Sequence, residues 1–435
     1  MMTSIGLWAA LSPSAAAFCG AYVGGLDDGE LSNHTSQVVL ARDGLRTTLT
    51  LANDLEGDAT DFALLIPVPE LDPEDVRVLD PSVLQELDGY TGPRLVAYTC
   101  EDFHYPPADR ELFSWGCRVD YEMTQSSDGW GPSEASTVQI EAEFTAGEYE
   151  LVILNAEQAS DLLGWLDDND YGAPAETQEL LQEYIDQGTS FLAARVSLDA
   201  QAQGVEWLSP LQLSYSSESL TLPILLGTAN SPGEQELILT GILPREQGEL
   251  AISNYPQRTL PYNECMLPEG ADYSSFYAET LDESFNQDDG EAGWLVEYSW
   301  SGGKCDPCPP QGELSETLVQ ELGFSAGTSE AHVTRLRMRY SPEQVHADLA
   351  LYGSGFGNFT QSRFIEHNPN LGDRFEVCGQ GLIESLGDCE EEFEVLDAQA
   401  EESEGCSARP GRGSVAWLGV LVGLLLMRRR SLPRG

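Results

Sequence analysis

The chain has 435 residues, enough for two or three domains, and 21 Lys plus Arg against 73 Asp plus Glu give it a formal charge of −52. Six arginines follow the last acidic residue, Glu404, so residues 1–404 hold 15 basic against 73 acidic groups, a balance of −58. Such a body has no cationic surface to release phosphate counterions, which excludes nucleic acid and anionic membrane as its partners. It favours basic or cationic surface partners and divalent cations, with a plain solvated acidic surface as the simpler alternative.

Residues 1–17 read as an export signal, with an apolar run from Ile5 to Leu11 and the small cleavage-type residues Ala15-Ala16-Ala17. No Lys or Arg precedes that run and Pro13 interrupts it, so a buried N-terminal strand is the competing reading. Val38 to Leu40 and Leu45 to Leu51 alternate as a hairpin around Asp43-Gly44. Phe62 to Val68 is an expected strand, and Pro81 to Leu87 an expected short helix behind Asp80. Thr137 to Phe144 should pair with Glu148 to Leu154 through Gly147.

The only long helical signal follows. Helices are expected over Glu157 to Leu166 and Ala175 to Gln187, between strands at Tyr149 to Leu154 and Ser190 to Ser197. Asn155 suits the first N-cap, Pro174 opens the second helix, and Gly188 ends it in the left-handed conformation. Further strands are expected at Leu211 to Tyr215, Leu220 to Leu226, Glu236 to Leu243, Trp294 to Trp300 and His332 to Tyr340. Asp272 to Gly293 reads as a polar surface loop and Leu314 to Leu322 as a short helix. Asp388 to Glu404 has the composition of a disordered acidic spacer.

Eight cysteines lie in the acidic body: Cys19, Cys100, Cys117, Cys265, Cys305, Cys308, Cys378 and Cys389. An even set in an exported domain implies disulfides, and short loops favour Cys100 with Cys117 and Cys378 with Cys389. Cys305 and Cys308 have the C-x-x-C spacing of a redox pair, but Gly and Pro surround them where a redox motif would open a helix; a turn clamp is the favoured reading. Asp167, Asp168 and Asp170, with Asp288 and Asp289, offer oxygen ligands for Ca2+, without the spacing of a twelve-residue calcium loop. Arg335, Arg337 and Arg339 share one strand face and could hold an anion, although pairing with nearby carboxylates is the better electrostatic expectation. The five histidines form no H-E-x-x-H pair, and no catalytic residue can be named.

At the C-terminal end, Gly405-Cys406-Ser407 precedes an apolar run, Val415 to Met427, and then Arg428-Arg429-Arg430. The run is short for a membrane helix, and its basic flank would keep the arginines cytoplasmic and the acidic body outside. This tail resembles the Myxo-CTERM sorting signal, which implies processing by sorting machinery near Cys406, with that cysteine as the lipid-bearing anchor, and delivery to the cell surface. Three stretches of the body resemble the bacterial family called domain of unknown function 2330. They are Thr48 to Asp54 running into Asp61 to Pro69; Leu163 to Leu166 with Tyr184 to Gly188; and His332 to Tyr340. That resemblance, over about residues 18–370, implies location and architecture and no reaction.

The expected fold is α+β: a β-rich antiparallel ectodomain with an inserted helix pair, plus one C-terminal membrane helix. Its parts are a signal peptide at 1–17, the ectodomain at 18–370, an acidic tail at 371–404 with a Cys378/Cys389 loop, and a sorting tail at 405–435. The expected role is that of an exported, membrane-tethered cell-surface protein with a structural or adhesive function assisted by Ca2+. The alternative is an extracellular hydrolase using carboxylates that the sequence does not single out.

Overall fold

The computed structural model describes residues 21–25, 35–53, 62–100, 138–173, 177–196, 209–231, 233–286, 290–309, 312–355 and 359–384, all within one of the chain's two units, Met1–Leu386. β1 (Ala21–Gly25), β2 (Thr35–Asp43), β3 (Arg46–Asn53), β4 (Phe62–Val68) and β5 (Val76–Val78) lead to α1 (Ser82–Thr91) and β6 (Arg94–Val96). β7 (Gln139–Ala146) and β8 (Tyr149–Asn155) precede α2 (Ala159–Asp168), β9 (Tyr171–Gly172), α3 (Thr177–Asp186) and β10 (Ser190–Val196). Next come β11 (Leu211–Ser216), β12 (Leu220–Leu222), β13 (Gln235–Pro244), β14 (Leu250–Ile252), β15 (Glu264–Met266), α4 (Tyr273–Phe285) and β16 (Gly293–Ser301). α5 (Glu316–Glu321), β17 (Ala331–Tyr340), β18 (Leu349–Gly353), β19 (Thr360–Gln361) and β20 (Arg363–Ile365) follow.

Eight strands form the largest sheet, in the order β19-β16-β17-β13-β2-β3-β11-β5, antiparallel except where β2 runs parallel to β13. A six-stranded antiparallel sheet has the order β7-β8-β10-β4-β1-β9. Two three-stranded sheets complete the set: β12-β18-β14 is antiparallel and β15-β20-β6 is parallel. The expectation of a β-rich, mainly antiparallel body with few helices holds; the parallel pairings were not anticipated.

Period-two alternation explains why the large sheet is covered on both faces. On β2, Val38 and Leu40 join the main core while Val39 and Ala41 join a second one. The main core continues into the six-stranded sheet through Phe62, Leu64 and Ile66, and into α2 and α3 through Trp165, Leu166 and Leu181. The second core packs Val83, Leu84 and Leu87 of α1 and Leu318 and Val319 of α5 against the opposite face. β4 is buried along all seven residues, which fits its unbroken apolar sequence in the middle of a covered sheet.

Several expectations are corrected. The expected loop at 272–293 contains α4, the longest helix described. Asp272 caps it by accepting from the Ser275 amide, while Phe276, Tyr277 and Leu281 supply an apolar stripe amid polar residues. Gln158, not Asn155, is the N-cap residue of α2, which starts at Ala159 rather than Glu157, and Asn155 remains in β8. Leu226 opens a 3-10 turn instead of ending a strand. The folded body also runs past residue 370, because Leu371, Val377 and Cys378 are buried.

The expected Cys378/Cys389 loop is not formed: Cys378 bonds to Cys265, across 113 residues. The cause is tertiary, since β15 lies beside β20 and Met266 also bridges to Val377. Closing a loop of that length removes about 4.7 kcal/mol of unfolded-chain entropy in the simplest account. Cys305 bonds to Cys308, as a turn clamp requires, and Cys100 is also disulfide-bonded. Cys19, Cys117, Cys389 and Cys406 lie outside the described residues, as do the export-signal and sorting-tail segments. Among the described residues no helix is long and apolar enough to cross a membrane.

Candidate functional site

β17 reads Ala-His-Val-Thr-Arg-Leu-Arg-Met-Arg-Tyr, so its even and odd positions face opposite sides of the sheet. Leu336, Met338 and Tyr340 enter the main core. Ala331 and Val333 enter the second core, and Arg335, Arg337 and Arg339 continue that same face beneath α1 and α4. Neighbouring β16 carries a bulge: Val296 pairs with Leu336 and Tyr298 with Arg335, leaving Glu297 as the extra residue. The bulge directs Glu297 onto the arginine face, where it is fully buried.

The result is a ladder of opposite charges. Glu297 accepts from Arg335 Nε at 2.6 Å, from Arg337 Nε, and from the Tyr277 hydroxyl at 2.5 Å. Arg335 also reaches Asp88 on α1 at 2.7 Å. Glu236 on β13 holds Arg337 at 2.7 Å and Arg339 at 3.2 Å, and Asp282 on α4 holds Arg339 at 2.7 Å. Burial by itself would raise the Glu297 carboxyl, but the Arg337 and Arg335 guanidiniums and the Tyr277 hydroxyl outweigh it and hold the group at about 2. Burial pushes the Tyr277 hydroxyl well above its ordinary value, and the adjoining Glu297 charge adds to this. The arginine stripe is therefore engaged with protein carboxylates, as the electrostatic expectation held, rather than opening as an anion cradle.

On the even face, three positions before Arg335, His332 lies between two serines. Its Nε2 is 2.8 Å from Ser299 Oγ and its Nδ1 is 2.7 Å from Ser301 Oγ. Glu249 lies next along, with the Ser299 hydroxyl as its side-chain hydrogen-bond partner. His332 thus bridges the two serines through its two ring nitrogens, and Glu249 extends the line beyond Ser299, giving the order Ser301, His332, Ser299, Glu249. Burial, with the Arg245 charge adding, lowers the His332 value to about 4, so the ring is neutral in ordinary buffer. Burial raises the Glu249 carboxyl, against the opposing Ser299 hydrogen bond. Glu249 borders a polar cavity of about 140 Å³ with Gln257, Arg258, Asn263 and Thr360.

The metal expectation fares differently. Asp167 and Asp168 end α2, and Asp170 turns with φ 68° while its amide donates to the Asp167 carbonyl. Asn169 and Asp170 thus form ordinary turn chemistry, and among the described residues no three His, Cys, Asp or Glu side chains converge as metal ligands. Asp167, Asp168 and Asp170 are not brought together as a site, and Asp288 and Asp289 lie outside the described residues. Sequence reasoning passed over Glu297, Tyr277 and Glu249. A signal existed for Glu297 alone: it is the one charge in Trp-Leu-Val-Glu-Tyr-Ser-Trp, a strand otherwise built for burial.

A protein-family model described as "Uncharacterized protein conserved in bacteria (DUF2330)" matches residues 13–352. No curated protein matches the chain. Among solved structures, the crystal structure of baculovirus P35 is similar at 8% identity and a TM-score of 0.28, covering 75% of this chain and 97% of that one.

Proposed function

The chain belongs to the bacterial DUF2330 family, and from that premise we propose that it is an exported, acidic cell-surface protein with a structural or binding role. The observation that carries this reading is the direction of its charges. Arg335, Arg337, Arg339, Arg363 and Arg195 turn onto protein carboxylates, while Glu70, Glu74, Glu86, Glu157, Asp186 and Glu279 face solvent. A surface left anionic in this way suits cationic partners. The sorting-signal-like tail, with Cys406 as the processed and lipid-bearing residue and Arg428-Arg429-Arg430 on the cytoplasmic side, is the proposed tether. The test is binding of the full chain to an oligolysine peptide across a NaCl series. Affinity that falls steeply with salt supports the reading, and absence of binding at low salt overturns it. Thermal melts in Ca2+, Mg2+ and NaCl at matched ionic strength address calcium assistance: a calcium-specific rise supports it, and an equal response to every salt removes it.

A second reading, an extracellular hydrolase, draws support from the ordered chain Ser301, His332, Ser299, Glu249. Half-exposed Ser301 would be the nucleophile and neutral His332 the base that takes its proton. A fluorophosphonate probe that labels Ser301 in the full chain, but not in S301A, would favour this reading; an unlabelled chain would sink it.

A further inference from the structure

Two disulfides join described cysteines, and they have little in common. Cys265–Cys378 is buried and spans 113 residues, whereas Cys305–Cys308 is half-exposed and spans 3. A disulfide stabilises a fold mainly by restricting the unfolded chain, and a ring this small restricts it least. The ring is nevertheless held from four strands. Arg94 of β6 donates to the Pro307 carbonyl at 3.1 Å. Arg363 of β20 reaches the Asp306 carbonyl at 2.6 Å and its carboxylate at 2.8 Å. Gln361 of β19 accepts from the Asp306 amide and donates to its carbonyl, both at 3.0 Å. The Tyr298 hydroxyl donates to the Lys304 carbonyl at 2.5 Å. None of these contacts uses the S–S bond, so the main chain around the sulfurs stays placed when the bond opens.

Charge is concentrated here as well. Residues 1–404 hold 15 basic groups, and Arg94, Lys304 and Arg363 all lie on or against this four-residue ring. Lys304 also holds Glu313, and Arg363 also holds Glu264 and Asp306. Arg94 instead donates to the main-chain carbonyls of Tyr90, Gly92 and Pro307, which sets its positive charge against the ring. Positive potential beside a partly exposed cysteine favours the thiolate and so the opened form.

We propose that Cys305–Cys308 is a thiol–disulfide exchange site that oxidises dithiols of proteins or peptides. A substrate thiolate attacks one ring sulfur; the S–S bond breaks, its electron pair leaves on the other cysteine, and a mixed disulfide forms. The second substrate thiolate attacks the mixed disulfide, which closes the substrate disulfide and releases the remaining cysteine as a thiolate. The two protons lost by the substrate thiols end on Cys305 and Cys308, so the substrate is oxidised by two electrons and the ring reduced by two.

The test uses the full oxidised chain, equilibrated over a series of reduced-to-oxidised glutathione ratios, alkylated, and mapped by peptide mass spectrometry. Cys305 and Cys308 are expected to become alkylated together, at ratios that leave Cys265 and Cys378 protected. A synthetic C-x-x-C dithiol peptide is expected to be oxidised by one equivalent per chain, and this is lost in C305S and in C308S. Replacing the charge with R94Q should move the midpoint of the ring toward more reducing ratios. The proposal is overturned if the ring stays closed where Cys265–Cys378 opens, or if both serine variants still oxidise the peptide. Should the serine variants not fold, the order of alkylation in the native chain decides the matter.

Discussion

On one side of β17, Arg335 and Arg337 are buried as cations against the Glu297 carboxylate; on the other, His332 is buried as a neutral ring between two hydroxyls. Both faces must meet the cost of taking an ionisable group out of water. Where the fold delivers an opposite charge, the group keeps its own. Where hydroxyls arrive and the nearby charge is the like one of Arg245, the group gives its charge up. The difference lies in which neighbours β16 supplies, since its bulge sends Glu297 to one face and Ser299 and Ser301 to the other.

Removing the carboxylate breaks this comparison most severely. E297Q leaves Arg335 and Arg337 buried without their shared counter-charge, and denaturant unfolding is expected to show a loss of about 3–5 kcal/mol. A loss under about 1 kcal/mol would mean that Asp88 and Glu236 alone suffice to hold the two cations.

The two faces should next separate by pH. His332 has its value lowered from 6.5 to about 4, so between those limits the unfolded chain binds the proton and the folded chain does not. Its contribution is complete above 6.5 and is lost as pH falls toward 4. Glu297 is lowered from 4.5 to about 2, so its contribution is present above 4.5 and lost as pH falls through 2. Stability measured against pH should therefore fall in two windows, with H332N flattening only the upper one and E297Q only the lower. A single shared window in both variants would contradict the separation of the faces.

The smallest effect is expected at the rim of the ladder. Asp282 is 58% exposed where it meets Arg339, so D282N should cost less than about 1 kcal/mol and less still in high salt. A larger loss would show that the ladder acts as one unit rather than as a buried centre with a wet edge.

Much of this was legible and some was not, for identifiable reasons. The alternation Arg-Leu-Arg-Met-Arg reports one polar and one apolar face directly, because the strand period is two. The hairpins at β2–β3 and β7–β8 were equally plain, since partner and turn are close in sequence. The carboxylates of the ladder come from α1, β13, α4 and β16, and nothing local ties those elements together. α4 escaped notice because its apolar residues, set among Ser, Glu and Asp, pack on Phe364 and Leu295 from remote strands. The Cys265–Cys378 pairing failed for the same reason: short loops are a guide to proximity only where sheets do not bring distant residues together.

That disulfide has a mechanical consequence if the chain is tethered from its C-terminal end. Tension entering from beyond Glu384 would arrive first at Cys378 and cross a covalent bond into Cys265, beside β15. The 112 residues between them, which include β16, β17 and the three arginines of the ladder with Glu297 and Asp282, would lie in parallel with that bond and carry almost none of the pull. Sheets unzip readily when hauled from an end strand, one hydrogen bond after another. A surface protein exposed to shear would be pulled here at a point that cannot unzip, and the charged interior would stay closed under forces that detach its partners.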